Sequence, residues 1–345
     1  SLIADVGALV LAGAAGLDLD RLFALLPQAD PTGTRHVGAA DVGVIEAATA
    51  TFSAQDFATG SGPICDLALA QLRSVLPLLG AEMTPEVQPR LYLAIARLAT
   101  QAGWMSYQVN QHDDARQLWL IALDVTRATD HPLSTDQTVF VLYDMAQQAV
   151  HLGRPEEARK LVHLGHTAAI GPHPVSAATL SILVNIQARA HAAQGDATAC
   201  DRALGQAIDH FSSIDPATRP PWGGFLDETH LASYQGEAHY ELALASSDPH
   251  AAGRAVALLR QAVDNFGPNY ARPRASALTD LAGAHALAGD TDTAVSVGHQ
   301  ALDAVTALHS PRTHDRLRVL NTALEPLHAS TGVTELREHL STTLV

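Results

Sequence analysis

The sequence predicts an all-α protein, specifically a right-handed superhelix, or α-α solenoid, of stacked helical hairpins. Three observations predict it. Alanine and arginine, both strong helix formers, are common; no segment alternates Val, Ile, Thr and Tyr as a strand would; and small residues recur in one frame along the chain. Because each hairpin of such an array contacts only its neighbours, all 345 residues fit one extended architecture.

The recurring frame is clearest from Arg97 to Arg127. This window has small and bulky residues at the offsets of a tetratricopeptide unit, namely Gly103, Ala115, Trp119 and Ala122. Small residues let two helices approach closely, and the bulky one fills the gap to the next hairpin. The frame recurs four times, with the position of Ala115 repeated at Ala158, Cys200, Ala255 and Ala294. We therefore expect five tetratricopeptide-like hairpins of about 40 residues, longer than the usual 34.

The predicted turns use glycine to end the first helix and Asp or Pro to begin the second. They are Gly153-Arg154-Pro155, Gly195-Asp196 and Gly289-Asp290, with a longer turn from Ser246 to Gly253 in the fourth unit. Residues 1–36 are predicted as an N-terminal helix or linker segment, in which Ser1 to Leu26 is apolar but interrupted by charge. The repeat domain is predicted at 37–345, with capping helices at 37–80, repeats at about 87–130, 135–170, 176–212, 226–266 and 273–308, and a C-terminal cap at 312–345.

Charge and motifs exclude several classes of function. The 36 acidic and 21 basic side chains give a formal net charge of −15, and the basic residues are scattered, so we expect no direct contact with nucleic acid. Cys65 and Cys200 match neither a disulfide framework nor a zinc motif. No membrane span is expected either. The predicted location is therefore the cytoplasm. His163 and His166 lie one turn apart without an evident third ligand. No catalytic motif is present, and we predict neither an enzyme nor a cofactor nor a metal.

The predicted binding surface is the concave groove formed by the first helix of each unit. Outward-facing positions of these helices select a mixed set of aromatic, amide and charged side chains, suited to a compact polar ligand or an extended peptide. They are Arg97, Trp104, Tyr107, Tyr143, Gln147, Asn185, Arg189, Glu237 and Tyr240. The alternative for each aromatic residue is packing between helices.

Two further features bear on this groove. Arg97 and Arg189 suit bidentate binding of a carboxylate or phosphate; the alternative is ion pairing with nearby acids. The segment Pro220 to Glu228 contains Trp222, Phe225 and Asp227 and is predicted to fold over one end of the groove, or else simply to cap a helix start.

Several segments together resemble the sensor region of actinobacterial helix-turn-helix transcriptional regulators with tetratricopeptide repeats. They are Val37 to Val42, leading to Phe52, Leu72 to Leu79, Ala102 to Tyr107, Gln148 to Gly153 with Glu157-Ala158, and Pro220 to Glu228. The resemblance runs from about Val37 to the C-terminus. It implies gene regulation by a bound signal, although this chain shows no counterpart of the DNA-binding domain that such regulators carry.

The predicted function is therefore the sensing and protein-interaction region of a transcriptional regulator. It would bind a small-molecule or peptide effector in the groove and contact a protein partner or a second copy of itself. The alternative is a stand-alone tetratricopeptide scaffold that binds a partner protein without sensing a small molecule.

Overall fold

Nearly all of the described structure is helical, which confirms the all-α prediction. The computed structural model describes residues 36–344, so the segment predicted at Ser1 to Leu26 lies outside the described residues. The described part of the chain has fourteen α-helices, which follow one another: α1 (Ala39–Thr59), α2 (Cys65–Val75), α3 (Val87–Gln108), α4 (His112–Arg127), α5 (Ser134–His151), α6 (Pro155–Ala168), α7 (Ala177–Ala192), α8 (Ala197–Ser212), α9 (Glu228–Ser246), α10 (Pro249–Asn265), α11 (Ala271–Leu287), α12 (Thr291–Thr306), α13 (Pro311–Ala323) and α14 (Thr331–Thr343). Among these helices, none combines the length and the apolar character that a bilayer crossing needs.

Within residues 36–344, extended structure is limited to one short pairing that the sequence did not predict. Strand β1 (His36–Val37) lies parallel to β2 (Glu82–Met83), with Val37 opposite Met83. Val37 is 1% exposed, so the pairing anchors the first described residues to the core beneath α1.

Consecutive helices pack as pairs, α3 with α4 and onward to α11 with α12, and each pair also contacts the next. The predicted glycine turns are confirmed: Gly153, Gly195 and Gly289 all have φ between 68° and 80°, the left-handed region that glycine enters at no steric cost. Asp196 then accepts a hydrogen bond from the backbone N–H of Ala199 (3.0 Å) and caps α8.

The fourth pair turns differently from the prediction. Helix α9 runs to Ser246 and α10 begins at Pro249, so Gly253 lies inside a helix and the predicted turn from Ser246 to Gly253 is too long. Ser247 takes the left-handed conformation (φ 53°), and Asp248 caps the next helix through the N–H of His250. A local cap and Pro249 at the first turn outweigh the helix-breaking tendency of Gly253.

Small residues let paired helices approach closely. A Cβ on Gly103 would come within 2.6 Å of Trp119 Nε1, and one on Gly283 within 2.2 Å of the Tyr240 hydroxyl. The Trp119 indole is fully buried and donates to the carbonyl of Thr100 (3.3 Å). Glycine at these positions thus holds bulky rings between neighbouring helices.

The two ends of the described chain meet. Helix α1 contacts α11, and α3 contacts α13. The N–H of Gly62 donates to the carbonyl of His309 (2.8 Å), the N–H of His309 donates to the carbonyl of Thr59 (3.1 Å), and Arg272 binds Asp56. We call this set, Asp56, Thr59 and Gly62 with Arg272 and His309, the closing contact. Because this contact joins the two ends of the array, the inner faces of the helices surround a cavity.

Candidate functional site

A cavity of about 660 Å³ lies between the inner faces of α1, α3, α5, α9, α11 and α13. Its walls are aromatic and charged. The aromatic lining residues are Phe57, Trp104, Phe140, Tyr143, Trp222, Phe225, Tyr234, Phe266 and Tyr270, and the acidic and arginine residues are Glu46, Asp56, Arg90, Arg97, Asp144, Glu237, Arg272, Arg312 and Arg316. Its volume lies within the range of small-molecule sites, about 300–1,000 Å³.

The segment around Trp222 covers one part of this cavity. Residues Pro221–Gly223 form a short 3-10 helix, and the Trp222 indole donates to Asp136 Oδ1 (3.0 Å) and Thr179 Oγ1 (3.3 Å) at the starts of α5 and α7. Phe225 packs on Phe57 with ring centroids 5.6 Å apart. The segment therefore joins the beginnings of two inner helices to α1.

Arg97 projects from α3 onto the face of Trp222. Its guanidinium carbon lies 5.0 Å from the indole centroid, within cation–π distance. Among residues 36–344, no side chain forms an ion pair or a hydrogen bond with it. Burial lowers the pKa of Arg97 to about 10, and only the more distant Glu46 opposes this effect. The group is still positively charged at neutral pH and lacks a local counter-charge.

Arg312 lies close to Trp104 and Tyr107. It is 5% exposed, and its guanidinium carbon lies 5.6 Å from the Trp104 ring centroid and 4.6 Å from that of Tyr107. When the Gln108 amide is oriented to donate to Ser310, its oxygen accepts from Nη1 of Arg312 and of Arg272, both at 3.2 Å. Within the described part of the chain, Arg312 has no carboxylate in ion-pair contact, in contrast to Arg272.

Asp144 is a buried carboxyl group that faces the cavity. It is 3% exposed, and the described residues offer it neither an ion pair nor a hydrogen bond to its side chain. Burial raises the pKa of Asp144 well above its usual range, against the attraction of Arg312. In its neutral form this carboxyl is a hydrogen-bond donor.

A chain of buried ion pairs borders the cavity. Glu237 binds Arg189 (3.1 Å) and Arg316 (3.2 Å), while Arg189 also binds Glu241 and Arg316 also binds Asp280. Burial opposes ionisation of Glu237, but the two guanidinium groups outweigh it and lower the pKa of Glu237. Burial raises the pKa of Asp280 to about 6 in spite of Arg316. These arginines are therefore already neutralised within the protein.

The structure brings seven of the predicted site residues to the cavity: Arg97, Trp104, Tyr143, Gln147, Trp222, Phe225 and Glu237. The other five lie elsewhere. Tyr107 packs against Trp119 and His151, Asn185 donates to the carbonyl of Ser181, Arg189 is held by Glu237 and Glu241, Asp227 caps α9, and Tyr240 lies under Gly283.

Other lining residues lie outside the predicted bounds of the repeats. Asp56 and Phe57 belong to α1, Arg272 to the start of α11, and Arg312 and Arg316 to α13. The prediction placed α1 and α13 in the caps. Their side chains reach the inner wall because the closing contact brings both ends of the array together. Asp144, by contrast, immediately follows the predicted Tyr143.

Comparison with known proteins gives no family assignment. The chain matches no protein-family model, and no curated protein is significantly similar to it in sequence.

Proposed function

We propose that this chain is the effector-sensing and protein-interaction region of a cytoplasmic transcriptional regulator, and that its effector is a small molecule bound in the central cavity. The fold behind the proposal is a right-handed superhelix of tetratricopeptide-like hairpins whose first helices form the inner wall. One observation carries it. A cavity of about 660 Å³ combines aromatic faces with charged groups. One of these groups, Arg97, has no ion-pair partner among the described residues.

The closing contact favours a compact ligand over an extended peptide. An open concave groove accommodates a peptide along its whole length. Here α1 contacts α11 across the array, and Gly62 and His309 are joined through their backbones. A small molecule fits between these walls, whereas an extended chain would have to separate them.

The same contact supports a mechanism of response. A molecule in the cavity touches α1, α3 and α13 together, so it stabilises the arrangement in which both ends meet. A change in how the ends meet alters the outer surface of the array, where a partner protein, a second copy of the chain or an attached DNA-binding domain detects it. The net charge of −15 makes such a relay more favourable than direct DNA contact by this region.

The test is a thermal-shift screen of metabolites and culture extracts on two matched variants. Ala50 lines the cavity, and Ala47 is an exposed residue of the same helix outside it. Compounds that bind in the cavity should raise the Tm of the wild type and of Ala47→Trp, and should fail to raise the Tm of Ala50→Trp, in which the indole fills the space. A wide panel with no stabilising compound, or equal shifts in both variants, would contradict the proposal.

The alternative, a scaffold that binds a partner protein and senses nothing, is favoured by apolar side chains on the outside. Ile170 is 84% exposed and Leu67 58% exposed. A scaffold would capture the same protein from a lysate with wild type and with Ala50→Trp, and metabolites would not change the yield. Loss of capture in Ile170→Asp, with no thermal response to any compound, would favour the scaffold.

A further inference from the structure

The charged groups of the cavity are unevenly paired. Five arginines and four acidic residues line it. Glu46 binds Arg90, and the ion pairs of Asp56 and Glu237 occupy two further arginines. Among the described residues, Arg97 and Arg312 are left without an ion pair, and Asp144 is the remaining acidic residue of the lining. Burial raises the pKa of Asp144 well above its usual range. The lining thus has more arginines than acidic residues, inside a chain whose net charge is −15.

Arg97 is the more exposed of the two guanidinium groups and lacks a hydrogen-bond acceptor among the described residues. Glu46, the carboxylate whose charge acts on Arg97, is held by Arg90, whose Nε lies 2.9 Å from Oε1 and whose Nη2 lies 2.5 Å from Oε2. A partly buried cation without a counter-ion is costly, and an incoming anion removes that cost. The planar guanidinium matches a carboxylate with two parallel hydrogen bonds.

The surroundings of Arg97 fit the apolar part of such a ligand. Trp222 holds the guanidinium on its face, and Phe140 packs beside that indole with ring centroids 6.1 Å apart. Trp104 follows Arg97 on the same helix and lines the same cavity, about 10 Å further along the helix axis at 1.5 Å per residue. That separation accommodates one or two fused rings between the cation and the inner aromatic wall.

From this arrangement we infer that the effector is an aromatic organic anion, whose carboxylate is bound by Arg97 and whose rings lie between Trp222 and Trp104. The inference rests on the proposed function and specifies the ligand class. Arg312, whose guanidinium carbon lies 5.6 Å from the Trp104 ring centroid, then faces the other end of the molecule, where its N–H donors suit a neutral oxygen of the ligand.

The experiment compares two fluorescent probes with the same ring skeleton. One is 8-anilinonaphthalene-1-sulfonate, which carries an anionic group, and the other is N-phenyl-1-naphthylamine, which lacks it. Both are titrated into wild type, Arg97→Gln and Arg127→Gln. Arg127 is an exposed arginine at the end of α4 and does not line the cavity, so its substitution removes the same charge outside the site. Circular dichroism and Tm establish that all three proteins are equally folded.

The expected result is selective. The sulfonate should bind wild type and Arg127→Gln alike and bind Arg97→Gln about tenfold or more weakly, since a charge-assisted hydrogen bond is lost. The uncharged probe should bind all three proteins equally. Naphthalene-1-carboxylate should displace the sulfonate from wild type, and naphthalene-1-carboxamide should displace it poorly.

Different failures have different meanings. Unchanged sulfonate affinity in Arg97→Gln, or the same loss for both probes, overturns the assignment of the anion to Arg97 while leaving cavity binding intact. If neither probe binds wild type, or if both bind Ala50→Trp as well as they bind wild type, the proposed cavity function fails and the inference fails with it.

Discussion

Arg272 and Asp56, 216 positions apart in sequence, form a buried ion pair that joins α11 to α1. Nη2 of Arg272 lies 2.9 Å from Oδ2 of Asp56, and its Nε donates to the backbone carbonyl of Asp56 at 3.2 Å. Asp56 also accepts from the Trp104 indole (3.0 Å). One carboxylate thus fixes an inner aromatic ring and closes the array.

Asp56→Asn should therefore be strongly destabilising. Removing the charge leaves the Arg272 guanidinium buried without a counter-ion, a change that costs about 3–5 kcal/mol. The free energy of unfolding from urea titration measures it. Asp201→Asn is the control, because the Arg254–Asp201 pair (3.3 Å) is about half exposed and contributes about 0–1 kcal/mol. Equal losses in the two variants would show that the buried pair has no special role.

Gly103→Ala should destabilise the first helix pair. The new Cβ would lie 2.6 Å from Trp119 Nε1, and because that ring is fully buried, relief requires displacement of a helix. We expect a loss of about 1–3 kcal/mol in chemical denaturation.

Gly205→Ala provides the opposite control for this prediction. Gly205 lies in the interior of α8 with open space around its Cα, so alanine should stabilise the protein by about 0.5–1 kcal/mol through helix propensity. Stabilisation by both substitutions would contradict the close approach at Gly103.

Stability should fall in mild acid partly because of His239. Burial lowers the pKa of His239 to about 4, below its ordinary value of 6.5. Between these two values the unfolded chain binds a proton that the folded protein does not, so stability decreases as pH falls, by about 3 kcal/mol at pH 4. His239→Phe should lose this part of the pH dependence in thermal melts from pH 7 to 4.

The exposed His250 supplies the comparison for the acid effect. His250→Gln should retain the wild-type profile, because its side chain lies at the surface of α10. A His239→Phe profile parallel to that of wild type across the whole range would refute the assignment to His239.

Gly62→Ala should loosen the closing contact. A Cβ there would lie 2.8 Å from the carbonyl oxygen of His309, so the hydrogen bond between the two backbones must lengthen. Hydrogen exchange should accelerate at the amides of Gly62's neighbours and of His309, and remain slow in α5 and α6. Gly80→Ala, with no atom near its Cβ, should leave exchange unchanged. Slow exchange at His309 in Gly62→Ala would mean that the contact tolerates the change.

Local patterns predicted the helices and several turns. The turns could be predicted because a glycine that ends a helix, such as Gly153, Gly195 or Gly289, commonly adopts the left-handed conformation. Among the residues predicted to contact a ligand, Trp222 and Arg97 line the cavity. Arg272 and Arg312 were not, since no local pattern indicates that both ends of the array meet. Tyr107 shows a second limit: it lies three residues after Trp104 on one helix, yet packs between helices while Trp104 lines the cavity.

The closing contact has a consequence for folding. An open stack of hairpins can lose its terminal units one at a time, because each unit is stabilised only by its neighbours. Bonds from Asp56 to Arg272 and from Gly62 to His309 make the terminal units neighbours as well. Fraying of one end then also removes contacts from the other end, so the chain should unfold with the cooperativity of a single globular domain. It should also fold slowly, because the contacts between its ends join residues that are far apart in sequence.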